Sequence, residues 1–196
     1  MAIINVPFRE SKEVIGGCWF TPANSLDEAA QIAKGDDAAG MMAVPYLAAF
    51  YVTRVFLPAM LKRGSGRCVF VTSAASRLVW PGAAGYTAAR RALCGLFEAV
   101  RGETAGTGVG ATMVTFAKVR SDYWANNPGS EERVPKAQAA IPVLSVEQAA
   151  RAILKGLEMD KEEVIEPTAL RLFLTWNHWY PAASRKMMAR LSLIGF

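Results

Sequence analysis

Apolar residues recur along this chain at two spacings, and the changes between them lay out its elements. From Asp36 to Arg63, Met41, Val44, Leu47, Ala48, Val52, Val55, Phe56 and Ala59 fall at helical intervals, and Gly64-Ser65-Gly66 ends the run. The compact apolar run Cys68-Val69-Phe70-Val71 then predicts a buried strand that closes in Thr72-Ser73. Pro81-Gly82 predicts a turn, and a second helical pattern opens near Tyr86 and continues to about Glu103. The order is helix, strand, loop, helix.

The same alternation continues. Gly106-Thr107-Gly108-Val109 reads as a turn and Ala111 to Phe116 as the next strand. Residues 122–144, interrupted by Asn126-Asn127-Pro128-Gly129 and later prolines, read as a mobile loop over a substrate, with one short helix. Ser145 opens a helix that runs through Glu158, and Glu162 to Ile165 form a short last strand. Toward the start, Ala2 to Val6 suits a short strand, and Ser25-Leu26-Asp27-Glu28 has the capping-box form that opens a helix to Ala33. Strands that alternate with helices predict an α/β protein with a parallel sheet.

In such a sheet Ser73 falls at the carboxyl end of its strand and Tyr86 in the first turn of the following helix, where open α/β sheets place their ligand crevice. Two hydroxyls converge there, thirteen residues apart. That spacing, with Tyr86-Thr87-Ala88-Ala89-Arg90 in place of a Y-x-x-x-K motif, resembles the short-chain dehydrogenase/reductase family. Residues 50–66 resemble the family's helix before the serine strand, and Ala92 to Arg101 the helix that carries the tyrosine.

The resemblance implies a Rossmann-like doubly wound sheet and an NAD(P)-dependent enzyme that interconverts an alcohol and a carbonyl. It implies Tyr86 as general acid/base and Ser73 as donor to the substrate oxygen. Arg90 stands where the family has the lysine that favours the phenolate and holds the nicotinamide ribose. Val119 and Ser121 stand in the family's P-G-x-V-x-T segment and imply contacts to the nicotinamide end of the cofactor. Helices of these two kinds pair across subunits in the family, so a homo-oligomer is expected.

Two departures narrow these expectations. Pro45 occupies or adjoins the place of an asparagine that holds a relay water, and a proline kinks the helix there. The family's first strand and its T-G-x-x-x-G-x-G turn, which cradles the pyrophosphate, have no counterpart; Gly16-Gly17-Cys18 reads as an ordinary loop. The expectation is therefore an N-terminally incomplete domain over residues 1–167, lacking the first strands, that binds NAD or NADP weakly and is impaired in turnover. The alternative is a non-catalytic relative that serves as a binding or membrane-associated module.

Composition adds bounds. The chain has 196 residues, 52% of them hydrophobic, which suffices for one sizeable core. Its net charge of +5 is scattered, and no basic stripe interleaved with aromatics suggests nucleic acid as a partner. Cys18, Cys68 and Cys94 form no C-x-x-C pair, and the start lacks a long apolar core, so a cytoplasmic location is the default. His178 is the single histidine, so no metal site is expected.

Residues 168–196 form a C-terminal aromatic and basic extension. Leu170, Leu172, Phe173, Leu174, Trp176, Trp179 and Tyr180 precede Pro181, and Arg171, Arg185, Lys186 and Arg190 accompany them. The block is too short to span a bilayer, which takes about 20 residues. Two expectations follow. Either the extension covers the substrate pocket or a subunit contact, or it makes peripheral contact with a membrane surface.

Overall fold

Strand β1 (Gly66–Ser73) runs parallel to β2 (Val109–Phe116), and β2 runs parallel to a strand over Glu163–Glu166, in a computed structural model that describes residues 38–78, 80, 83–126 and 134–192. The register pairs Ser73 with Phe116 and Phe116 with Glu166, so the three strands finish level at their carboxyl ends. The expected first strand, the capping box at Ser25, Gly16-Gly17, Pro81-Gly82 and Asn127-Pro128-Gly129 lie outside the described residues.

Strand alternation sends neighbouring side chains to opposite faces, and a helical layer meets each face. On one side, Cys68, Phe70 and Met113 meet Leu57 and Met60 of helix α2 (Ala49–Arg63) and Leu93, Phe97 and Val100 of helix α3 (Ala84–Glu103). The Phe70 and Phe97 rings meet edge-on at 5.9 Å. On the other side, Val69, Val114 and Val164 meet Ala149 and Leu157 of helix α5 (Val146–Glu158). The chain is thus an α/β protein wound on both faces of a parallel sheet, as its sequence pattern predicts.

Helix ends follow local chemistry. Ser145 caps α5 through a complete capping box with Gln148, which fixes the start read from sequence. Gly64 closes α2 in the left-handed region at φ 68°, and its carbonyl occupies the space that a Cβ on Gly108 would need. The helical run from 36 to 63 is not one regular helix. It comprises α1 (Ala38–Met42), a π-helical stretch at Ala43–Ala48 and then α2. Pro45 sits inside the π-helical stretch, where its missing N–H and bulky ring widen the turn instead of ending the helix.

One further pairing has no signal in the sequence pattern. Strand β3 (Val119–Arg120) pairs in parallel with β4 (Leu144–Ser145), and this short ladder fastens both ends of the intervening loop. Within that loop lie helix α4 (Tyr123–Asn126) and a 3-10 turn, Lys136–Ala140. After β5 (Glu163–Glu166), the C-terminal extension folds as α6 (Thr168–Trp179) and α7 (Pro181–Ser192). Leu170, Leu174 and Met188 of these helices are buried against Ala74 and Leu78, beside the end of β1.

Several large apolar side chains stay exposed on α2, among them Tyr51, Val55 and Phe56, with Val55 at 70%. The stretch Gly40–Arg63 is long and apolar enough to cross a membrane by length and composition. Leu172, Trp179 and Tyr180 are exposed on the extension.

Candidate functional site

Ser73 ends β1 in extended backbone and caps the 3-10 turn that follows, Ala74–Ser76. Its Oγ accepts from the Ala75 amide at 3.1 Å, and its carbonyl accepts from the Ser76 hydroxyl at 2.8 Å. The cap uses the hydroxyl as acceptor, which leaves its proton available to a substrate oxygen.

Tyr86 lies half-buried in the first turn of α3. One turn on, the Arg90 guanidinium lies over the Tyr86 ring at 4.9 Å from its centroid. Arg90 also donates to the Val71 carbonyl at 3.3 Å, which ties the tyrosine helix to the strand that ends in Ser73. Its Nε is buried without a hydrogen-bond partner among the described residues. The cation therefore touches the face of the phenol ring and not its oxygen. Ser73 and Tyr86 make no hydrogen bond to each other among the described residues; a bound oxygen would have to bridge them.

Val119 is half-buried in β3, fixed by its pairing with Leu144, and Ser121 is exposed just beyond. The Ser121 Oγ accepts from the Tyr123 amide at 3.4 Å. Tyr123 was not singled out from sequence. Its phenol is held above the ordinary value of 10.0 mainly by burial and then by Tyr86, while Arg90 pulls it down. That electrostatic coupling groups Tyr86, Arg90 and Tyr123 in one neighbourhood. A tyrosine inside a loop of low regularity carries no local signal for this.

Trp80 joins this neighbourhood to a cavity. Its ring meets that of Tyr86 edge-on at 6.5 Å, and it also lines a space of about 310 Å³ with Leu78, Ile141, Phe173 and Met188. Helices α6 and α7 form one wall of that space, so the extension covers a cavity beside the site. A larger space of about 480 Å³ lies elsewhere, among Arg77, Arg91, Cys94, Glu98 and His178. None of Ser73, Tyr86 and Arg90 lines either space, but the smaller one includes Trp80, whose ring meets Tyr86.

The sequence profile described as short chain dehydrogenase matches residues 23–132. The chain belongs to this family. This chain is 25% identical over 166 residues to 17-beta-hydroxysteroid dehydrogenase 13 of Rattus norvegicus, with 83% of this chain and 52% of the relative covered. It is 30% identical over 138 residues to 11-beta-hydroxysteroid dehydrogenase A of Sesamum indicum, covering 67% of this chain and 39% of the relative. It thus spans about half the length, or less, of these two relatives. A short chain dehydrogenase of Burkholderia cenocepacia, solved in complex with NADP, superposes with a TM-score of 0.61 at 21% identity, over 85% of this chain and 74% of that one. The Rossmann-like fold expected from the sequence is shown by this likeness.

Were a nicotinamide cofactor bound, Tyr86, Arg90, Val119 and Ser121, at the carboxyl end of the sheet, would be the residues to meet its nicotinamide end. A phosphate cradle is another matter. The described glycines with positive φ, at 64, 66, 106 and 108, all lie at the amino ends of β1 and β2, away from Ser73.

Proposed function

We propose that this short-chain dehydrogenase interconverts an alcohol and a carbonyl with a nicotinamide cofactor. The observation that carries the reading is Arg90, which stacks on Tyr86 and bonds the strand that presents Ser73. In the reducing direction, Tyr86 gives its phenolic proton to the carbonyl oxygen while Ser73 donates a hydrogen bond to the same oxygen. The cofactor, when bound, supplies the hydride to the carbonyl carbon. Tyr86 then recovers its proton from solvent, or takes it from the alcohol in reverse. Val119 and Ser121 would meet the carboxamide end of the cofactor.

Turnover of NADH or NADPH with a panel of ketones, at millimolar cofactor, tests this. Tyr86→Phe keeps the ring, and with it the Trp80 and Arg90 contacts, but removes the proton. We expect kcat to fall by about 10²- to 10⁴-fold with little change in melting temperature. Unchanged turnover in Tyr86→Phe would remove Tyr86 from the chemistry.

The same reading takes residues 168–196 as an extension on a catalytic domain, and the protein as a cytoplasmic homo-oligomer joined through α2 and α3. Exposed Tyr51, Val55 and Phe56 supply the apolar surface for that contact. One observation favours a second reading as a membrane-associated module: exposed Leu172, Trp179 and Tyr180 stand beside exposed Arg171, Arg185 and Lys186. Co-sedimentation with anionic vesicles tests it through Trp179→Ser with Tyr180→Ser, which leave the buried Leu170 and Leu174 in place. Equal partition of both proteins would end the membrane reading.

A further inference from the structure

The cavity beside Trp80 has a chemical character that narrows the substrate. Eleven residues line it, and none is charged. Leu78, Ile141, Phe173 and Met188 give it carbon walls, and methionine adapts to the shape of what it meets. A carboxylate or phosphate buried there would find no cation to pair with, which disfavours charged substrates strongly. Gln138 is the one amide in the lining, and its Nε2 is shielded from solvent with no hydrogen-bond partner among the described residues. Buried donors are normally satisfied, so a ligand acceptor is the missing partner.

Position and size complete the argument. Trp80 belongs to the wall and also meets the Tyr86 ring, so the cavity lies one side chain away from Tyr86. A volume of about 310 Å³ lies at the small end of ligand pockets, ~300–1,000 Å³. At about 30 Å³ per liquid-packed non-hydrogen atom, taking water's share as the guide, it admits about ten such atoms.

We propose that the cavity takes the apolar body of an uncharged ketone or alcohol, about ten non-hydrogen atoms long, with an acceptor oxygen at its far end held by the Gln138 amide. This rests on the alcohol-carbonyl reading above and specifies its substrate class. The reactive oxygen lies between Ser73 and Tyr86, the chain passes Trp80 and Leu78, and the far end lies between the Lys136–Ala140 turn and helices α6 and α7. The extension then selects substrate as well as covering it.

The test uses the full chain with 2-alkanones from butan-2-one to dodecan-2-one, and with decan-2-one bearing either a terminal hydroxyl or a terminal carboxylate. Turnover is followed at millimolar NADH or NADPH, and binding without cofactor is followed by tryptophan fluorescence. Burial of each methylene should raise kcat/KM about fourfold until the cavity is full, after which the series flattens. The terminal hydroxyl should add about threefold to tenfold, an increment that Gln138→Leu removes. The carboxylate should abolish binding. Ala169→Phe fills the wall of α6 and should bring the plateau several carbons earlier, and Ile141→Phe should do the same from the facing loop. A flat series, or preference for the carboxylate, overturns the assignment even if butan-2-one is reduced well. Binding that rises with chain length but no turnover supports the cavity and refutes the redox reading instead.

Discussion

Arg90→Lys restores the residue type that the resemblance leads one to expect, and the geometry sets what it should do. Arg90 makes one long hydrogen bond, 3.3 Å to the Val71 carbonyl, worth about 1.5 kcal/mol at the low end for a charged donor. Its stacking at 4.9 Å on the Tyr86 ring adds about 1 kcal/mol. Against these stands the buried Nε without a partner, a cost of about 1–3 kcal/mol that lysine does not carry. Loss and relief nearly offset, so the net change should stay within about 1.5 kcal/mol, or roughly 5 °C in Tm for a chain of this size. Function should respond more strongly. A lysine ammonium is a compact charge on a flexible stem, free to move from the ring face to the phenol oxygen and a ribose hydroxyl. We expect kcat for carbonyl reduction at millimolar NADPH to rise at least tenfold, a part of the ~10²- to 10⁴-fold that a well-placed acid/base contributes. The assay is paired with a thermal melt. A fall in kcat at unchanged Tm would refute the reasoning, because it would mean that the guanidinium on the ring face is itself the working cation. A Tm loss above about 10 °C would refute the energy balance.

If residues 1–37 build no phosphate cradle, calorimetric titration of NADH and NADPH should give Kd in the millimolar range, because losing two charge-assisted phosphate bonds at ~1.5–3 kcal/mol each amounts to a hundredfold or more in affinity; micromolar saturation would show a phosphate site built by those residues. The raised Tyr123 pKa stabilises the fold while the phenol stays neutral, so that increment is complete below about pH 10 and is lost as pH climbs through the folded value. Tyr123→Phe should therefore flatten the alkaline fall in stability measured by urea unfolding, and an unchanged alkaline limb would count against it. Val55→Glu, at an exposed position of α2, should lower the mass seen by light scattering at micromolar protein, whereas a monomeric wild type would dispose of the oligomer expectation.

What could be read from sequence was set locally. The turns at Gly64 and Gly108, the strand that ends in Ser73 and the capping box at Ser145 each depend on residues within a few positions, so pattern alone located them. Pro45 announced a disturbance, but whether a proline breaks, bends or widens a helix depends on what packs around it; here helix α3 lies against that stretch. The site divides along the same line. Ser73, Tyr86 and Arg90 share one strand-loop-helix unit, so spacing alone suggests them together. Tyr123 and the cavity draw on residues 78–80, 123, 135–141 and 169–191, separated in sequence and joined only by packing. The orientation of Arg90 was equally hidden, since a motif names a residue and not the direction of its charge.

The close approach of Gly64 and Gly108 divides the sheet into two regions with different tolerance to change. At the amino ends of β1 and β2 the backbones are so near that even a methyl group on Gly108 would strike the Gly64 carbonyl, and both residues need positive φ. At Gly108 substitution is barred by the main chain and no choice of side chain relieves it, while at Gly64 the cost is the left-handed backbone. At the carboxyl ends, where the proposed site lies, loop lengths and contents are free to drift while the amino ends keep the strands in register. A library randomised at 78–80 and 134–141 should therefore yield many folded members with altered chemistry, whereas one randomised at 64 and 108 should yield almost none. One end of the sheet is open to variation because the other end cannot move.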